Sequence, residues 1–269
     1  MSRHPGKLWL CLLLHGVSLN FCIAAIPPEN LFTPTPTFSA SDIFRPPPII
    51  WSTPFTTPLD LDGWNLDVIS ENDGSPDARN FDLADESFAG PGVACWFEEG
   101  LGGRSDGLPT SRELFSMTTI RVAYMLQWYG GNNVLRLDRN PGQQSGTLSL
   151  WVPKRYSNLY VLAASGAASG GGPEVGTLRL DFTDGTSSRL ISFNASGLAN
   201  RPGLSVGSFG RNTAVGPGFA YDNAGGVGFG MYETSIDLRG LGLDQKALKS
   251  ITFFKPGGAN PPDTVGIFA

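Results

Sequence analysis

Histidine and cysteine are scarce in this chain of 269 residues, which holds two histidines and three cysteines. Both histidines and two of the cysteines lie within the first 24 residues. This stretch has the layout of a secretory signal peptide, because Arg3 and Lys7 precede an apolar run and small residues at Ala24 and Ala25 fit cleavage after Ala24. The apolar run is shorter than about 18 uninterrupted residues, which favours a signal peptide over a membrane anchor. We therefore expect residues 1–24 to be removed from a secreted protein that does not insert into a membrane.

The mature chain then lacks histidine and keeps only Cys95. Without histidine, Ser-His and Cys-His catalysis are excluded, and one cysteine is too few for an ordinary zinc site. A lone cysteine also forms no intrachain disulfide, so Cys95 is interpreted either as a buried core residue or as an intermolecular link. Glu98 and Glu99 are the best pair for a glycosidase, but paired acids alone are a weak signal. We expect a protein that is not an enzyme.

Charged residues are also few, at 16% of the chain compared with roughly 25% in typical soluble domains. Removal of residues 1–24 leaves 17 Lys and Arg against 24 Asp and Glu, a net charge of −7. A mildly acidic surface argues against nucleic acid and anionic membranes as partners.

Proline is abundant in one segment, residues 25–58, which carry nine prolines with Ser and Thr between them. Proline removes backbone donors and fixes φ, so this segment is predicted to be an extended leader rather than a helix or a central strand. Apolar residues such as Trp51 and Phe55 are not needed in a solvated spacer. They indicate that part of the leader lies along its own domain or adds a strand to a neighbouring molecule.

Residues 59–269 show short β-like runs separated by turn signals, at a spacing typical of sandwiches. The pattern predicts one all-β domain, a jelly-roll-like antiparallel β-sandwich of about ten strands. Residues 159–163 form a continuous apolar run that suits a strand buried on both faces. Residues 230–238 and 248–254 are predicted to form the last strand pair. The ten predicted strands are 63–70, 120–128, 133–137, 146–152, 159–163, 176–182, 190–193, 230–238, 248–254 and 264–268.

Five runs carry a resemblance to a known group of domains: 132–137, 156–163, 177–186, 232–238 and 250–254. From about Asp62 onward the chain resembles uncharacterised secreted bacterial jelly-roll domains, which are similar to carbohydrate-binding modules. The resemblance implies a jelly roll, often with a structural calcium, and supplies no catalytic residue. Such domains often follow the Asp-Gly-Thr hairpin with an Asp-Trp pair. Here the matching stretch 193–196 lacks the tryptophan, which puts a ligand contact at that point in doubt.

Aromatic side chains are the first candidates for a ligand site, because sugar-binding sandwiches stack a pyranose face on an aromatic ring. Trp128 and Tyr129 lie at the entrance of a turn, and Trp151 lies at the end of a predicted strand. The competing interpretation is that these rings pack in the core or at its rim.

Metal binding and glycosylation add further candidates. Asp60, Asp62 and Asp73 belong to an acidic stretch with oxygen ligands of the kind that calcium needs, but the stretch matches no EF-hand spacing and a solvated acidic surface is the favoured interpretation. No other cofactor is expected. Asn194-Ala195-Ser196 is an N-glycosylation sequon, which has meaning only in a eukaryotic host.

Two functions are consistent with the sequence. The first is a secreted, non-catalytic, carbohydrate-binding-module-like protein that binds extracellular glycan. The second is a structural subunit of an extracellular filament, sheath or cell-surface layer, in which copies of the chain assemble through the N-terminal segment.

Overall fold

β-Strands account for nearly all regular structure in the described part of the computed structural model, which covers residues 56–72, 95–138, 143–165, 175–197, 204–214, 220–222, 229–255 and 264–269. These residues belong to one compact unit. They contain sixteen strands and a short 3₁₀ turn, Leu101–Gly103. None of the helical structure within these ranges is long and apolar enough to cross a membrane. The strands are β1 Leu61–Asp62, β2 Ile69–Ser70, β3 Cys95–Phe97, β4 Glu113–Phe115, β5 Ala123–Met125, β6 Leu135–Asp138, β7 Ser145–Lys154, β8 Asn158–Ser165, β9 Val175–Phe182, β10 Ile191–Asn194, β11 Val206–Phe209, β12 Arg211–Ala214, β13 Ala220–Asp222, β14 Phe229–Asp237, β15 Leu248–Phe254 and β16 Thr264–Ile267.

Two five-stranded antiparallel sheets form the sandwich. Sheet I has the order β1-β7-β15-β9-β10, and sheet II has the order β11-β14-β8-β16-β6. The central strands pair over long stretches; β8, for example, pairs with β14 from Tyr232↔Ala163 to Asp237↔Asn158. The predicted all-β sandwich is therefore confirmed.

An apolar core fills the space between the two sheets. Alternate residues point inward, because successive side chains of a strand lie on opposite faces. In β7 these are Leu148 and Leu150, and in β9 they are Leu178, Leu180 and Phe182. At the edge of sheet I, Gly176 leaves room for the Phe193 ring, since a Cβ at Gly176 would lie 2.3 Å from a ring carbon.

Sheet II is buried on both faces. In β8, Leu159 and Val161 face the inter-sheet core, whereas Leu162 and Ala164 face a second core on the other side. This second core is closed by a third layer that contains the four-stranded sheet β13-β12-β3-β2 and the β4-β5 hairpin. The continuous apolar run at 159–163 is thus explained by burial on both sides, as the sequence predicts.

Sheets I and II contribute five strands each, so the sandwich has the predicted ten strands, and its pairs are antiparallel as predicted. The third layer adds six short strands within the described residues, and these lack a clear alternating pattern in the sequence. In this layer β2 runs parallel to β3, with Ile69 opposite Trp96.

The predicted pairing of residues 230–238 with residues 248–254 is wrong. β14 pairs with β8 and β11 in sheet II, whereas β15 pairs with β7 and β9 in sheet I. The chain between them crosses from one sheet to the other. Both strands are apolar and alternating, so periodicity identifies each strand but carries no information about its partner.

Candidate functional site

The outer face of sheet I is a broad, polar surface. Residues that alternate with the core side chains point outward here, and most carry hydroxyl or charged groups. Register places Asp62 opposite Ser149, and Thr252 opposite both Thr147 and Arg179. The Oγ1 atoms of Thr147 and Thr252 lie 3.0 Å apart. The face is therefore a ladder of hydrogen-bonding side chains that cross several strands.

Asp181 anchors one side of this ladder. Its carboxylate accepts hydrogen bonds from Arg179 Nε at 3.0 Å and from Ser187 Oγ at 2.6 Å. Partial burial acts to raise the pKa of Asp181, but the hydrogen bonds from Ser187 and Arg179 outweigh it and lower that pKa. Asp181 is therefore ionised at neutral pH and holds Arg179 in place.

Trp151 lies on this face at the end of β7. It is 75% exposed and lies two residues after Ser149, on the same side of the strand. Its backbone N–H donates to the carbonyl of Asp60 at 3.1 Å, which continues the pairing of β1 with β7. The exposed indole is thus on the same face as Ser149, two residues before it, and as Asp62, which lies opposite Ser149.

The other two predicted aromatic residues do not join Trp151. Tyr129 is only 3% exposed, belongs to the second core, and donates its hydroxyl to the carbonyl of Pro109 at 2.8 Å. Tyr129 is therefore a core residue and is unsuited to stacking on a sugar, so its prediction as a ligand-binding residue is wrong. Trp128 is 69% exposed but lies in the connection between β5 and β6, beside Gly130. The predicted aromatic triplet is not a single site.

The predicted calcium ligands are placed only in part. Asp60 and Asp62 are both exposed, and Asp62 Oδ1 accepts a hydrogen bond from the N–H of Gly63 at 2.8 Å. Asp73 lies outside the described residues. Within the described ranges there is no group of three or more His, Cys, Asp or Glu side chains arranged to hold a metal ion.

The sequon Asn194-Ala195-Ser196 lies at the end of β10, an edge strand of sheet I. Asn194 is half-buried, and its Oδ1 accepts hydrogen bonds from the Ser196 N–H at 3.0 Å and the Ser196 hydroxyl at 2.7 Å. The Asn194 amide nitrogen makes no described hydrogen bond. Cys95 begins β3 with its backbone opposite Asn212, and its side chain lies outside the described part of the structure.

A second candidate site is a partly open cavity of about 580 Å³, here called the end cavity, at the end of the sandwich where β7 turns into β8. Its floor consists of aliphatic and aromatic core residues from both sheets, including Leu148 and Phe253 of sheet I and Val161 and Ile267 of sheet II. Typical ligand pockets have volumes of about 300–1,000 Å³ and apolar linings. The end cavity has the size of such a pocket, and its lining combines these apolar residues with polar ones such as Arg155 and Asn158.

Beside the end cavity, β8 extends beyond its described pairing with the segment that contains β16. The last backbone hydrogen bonds on that side run from the Phe268 N–H to the Leu162 carbonyl, at 2.8 Å, and from the Leu162 N–H to the Ala269 carbonyl, at 2.7 Å. β8 begins at Asn158, and within the described residues its first four positions have a neighbouring strand only on the β14 side. The gap beside these positions opens toward the inter-sheet core.

Thr56 and Tyr124 form part of the cavity wall. Thr56 Oγ1 donates to the Ala123 carbonyl and accepts from the Ala123 N–H, both at 2.9 Å, so the end of the predicted leader is attached to its own domain. Tyr124 donates its hydroxyl to Glu233 Oε2 at 2.7 Å. Burial, together with that bond, raises the pKa of Tyr124 and keeps it protonated.

Five polar side chains around the end cavity keep their hydrogen-bonding groups unused within the described part of the chain: Gln127, Arg155, Tyr156, Asn158 and Tyr160. Arg155 is exposed and makes no described ion pair. Burial, followed by the nearby Asp60 carboxylate, raises the pKa of Tyr156. The rim therefore offers several donors above an apolar floor.

Sequence reasoning did not identify this site. Tyr156 lies in the β7–β8 connection and Tyr160 lies in β8, and nothing in the local sequence distinguishes either from a residue beside an ordinary half-buried strand. The indole of Trp64, which also lines the cavity, comes from a segment almost 100 residues earlier. Only the packing of β1, β7 and β8 brings these residues together.

Comparison with known proteins gives no matching family model, no similar curated protein and no similar solved structure. The resemblance to secreted jelly-roll domains, and the jelly-roll order itself, therefore stay predictions.

Proposed function

We propose that this protein is a secreted, non-catalytic β-sandwich that binds extracellular glycan on the outer face of sheet I. The observation that carries the proposal is the exposed indole of Trp151 beside the polar ladder of that face. A pyranose presents C–H groups on its faces and hydroxyls around its edge. An indole next to Ser149 and Asp62 offers both kinds of contact.

The spacing along β7 supports this arrangement. Residues two apart on a strand are about 6.4–6.8 Å apart. A sugar ring stacked on Trp151 therefore has Ser149, and Asp62 opposite it, within reach of its edge hydroxyls. Thr147 and Thr252 continue the ladder for a second sugar unit.

A glycan array probed with the purified protein tests the proposal, followed by titration of the best ligand. Replacement of Trp151 by Ala is expected to weaken binding about tenfold or more, since a stacked aromatic contributes on the order of 1 kcal/mol beyond its buried area. Trp128→Ala is the matched control, because Trp128 is similarly exposed but lies off this face. An array without any bound glycan, or equal binding by both variants, would contradict the proposal.

The alternative function, assembly of copies through residues 25–58, depends mainly on residues outside the described ranges. Size-exclusion chromatography of the chain with and without residues 25–55 tests it. Leader-dependent oligomers would support assembly, and a monomer in both cases would contradict it.

A further inference from the structure

The proposed glycan site on the outer face of sheet I does not include the end cavity. We propose that it is a separate binding site for a small amphipathic molecule with an apolar chain and a carboxylate head. The apolar chain would lie between the sheets, and the head would meet Arg155 at the rim.

The floor of the cavity favours an apolar group. Leu148, Phe253, Val161 and Ile267 come from the inter-sheet core and offer no hydrogen-bonding side chains. A saccharide buried there would leave its hydroxyls without partners, at a cost of roughly 1–3 kcal/mol for each group. An alkyl chain has no such cost and gains free energy from each methylene removed from water.

The rim favours a carboxylate over other head groups. Arg155 is exposed at the mouth and makes no described ion pair, and a guanidinium binds a carboxylate through two parallel hydrogen bonds. The hydroxyls of Tyr156 and Tyr160 and the amides of Gln127 and Asn158 are further unused donors nearby. Asp60 carries an opposing charge near this rim, since it lies close enough to Tyr156 to contribute to the raised pKa of that tyrosine.

Decanoate, titrated into the full protein below its micellar concentration, is the first probe. We expect saturable binding, seen as a rise in melting temperature and a change in tryptophan emission. In the series hexanoate, octanoate and decanoate, each methylene that enters the cavity is expected to strengthen binding by up to about fourfold. Binding that is absent, or that does not depend on chain length, would overturn the proposal.

Variants test the role of the rim. Arg155→Gln is expected to weaken decanoate binding about tenfold, because a charge-assisted bidentate contact is lost. Arg189→Gln is the matched control, since Arg189 is an exposed arginine in the β9–β10 connection, away from the cavity lining. Asp60→Asn is expected to strengthen binding several-fold by removing the repelling carboxylate.

Two further results separate this site from a non-specific apolar surface and from the glycan site. Decanol should bind to the wild-type protein more weakly than decanoate does. To the Arg155→Gln variant, decanol and decanoate should bind with equal affinity. The Trp151→Ala variant should bind decanoate normally. Equal loss in the Arg155 and Arg189 variants would contradict a specific site, and competition between decanoate and a glycan would contradict its separation from sheet I.

Discussion

Single residues of one chemical type have different roles in this molecule, and Tyr129 and Tyr156 illustrate this. Each of these tyrosines follows a loop-like stretch of sequence. The sequence alone does not tell whether the side chain lies in the core or in a binding site. Tyr129 is buried and bonded to Pro109, whereas Tyr156 lines the end cavity and keeps its hydroxyl unused in the described structure. The difference arises from packing and not from local sequence.

The first prediction follows from this contrast. Tyr129→Phe removes a hydrogen bond from the second core and is expected to lower the free energy of unfolding by about 1 kcal/mol. The loss stays near this value because the Pro109 carbonyl also accepts the N–H of Arg112 at 2.8 Å and keeps a partner. Urea unfolding measures the change.

Tyr156→Phe is the matched control, and its effect on the free energy of unfolding should stay within about 0.5 kcal/mol. Glycan binding should be unchanged in the Tyr129→Phe variant. Loss of glycan binding there, without loss of stability, would restore Tyr129 as a ligand contact.

At the scale of elements, the long strands were the most predictable part of the fold. Strands β7, β8, β9, β14 and β15 include the predicted runs 146–152, 159–163, 176–182, 230–238 and 248–254 almost entirely. The consecutive predicted runs 176–182 and 190–193 are antiparallel neighbours in the structure, with Ile191 opposite Leu178 in β10 and β9. The short strands of the third layer were missed, because two or three residues are too few to show a period.

A turn between elements carries the second prediction. In the β9–β10 connection, Asp184 Oδ1 accepts bonds from the Thr186 hydroxyl at 2.6 Å and the Thr186 N–H at 2.9 Å, and Lys246 Nζ lies 3.0 Å from Asp184 Oδ2. These bonds lower the pKa of Asp184 from 3.8 to about 2. The ionised form is favoured by folding, so this contribution to stability is present above pH 3.8 and is lost as the pH falls through about 2.

Carboxyl NMR titration measures this pKa directly. Thr186→Val should raise the pKa of Asp184 toward 3.8, because the largest hydrogen-bonding contribution is lost. Thr183→Val is the control, since the Thr183 side chain makes no described bond to Asp184. An unshifted Asp184 pKa in the Thr186 variant would show that the turn geometry differs from that described.

The whole molecule is a layered structure in which sheet II is the central layer. Its position explains why β8 lacks an alternating pattern, because both faces need apolar residues. The same layering leaves the outer face of sheet I available for the proposed glycan site and opens the end cavity beside the first residues of β8.

The third prediction tests this layering. Leu162 is fully buried in the second core, on the side of sheet II that faces the third layer. Leu162→Ala is expected to lower the free energy of unfolding by about 2–5 kcal/mol, as is usual for a large-to-small change in a packed core. Chemical denaturation measures the effect.

Leu190→Ala is the matched control, because Leu190 is 61% exposed and its loss should change stability by less than about 0.5 kcal/mol. A cost below about 1 kcal/mol for Leu162→Ala would show that the third layer does not pack against sheet II.

The sequence by itself determined the all-β class, the position of the long strands and the double burial of β8. These properties are local, because side-chain period and turn residues follow directly from strand geometry. Only the tertiary structure decided which strands pair, which aromatic rings are exposed and where a cavity opens. Those properties depend on residues far apart in the chain coming together, as Trp64 and the first residues of β8 do at the end cavity. Periodicity along one strand does not indicate which strand it pairs with.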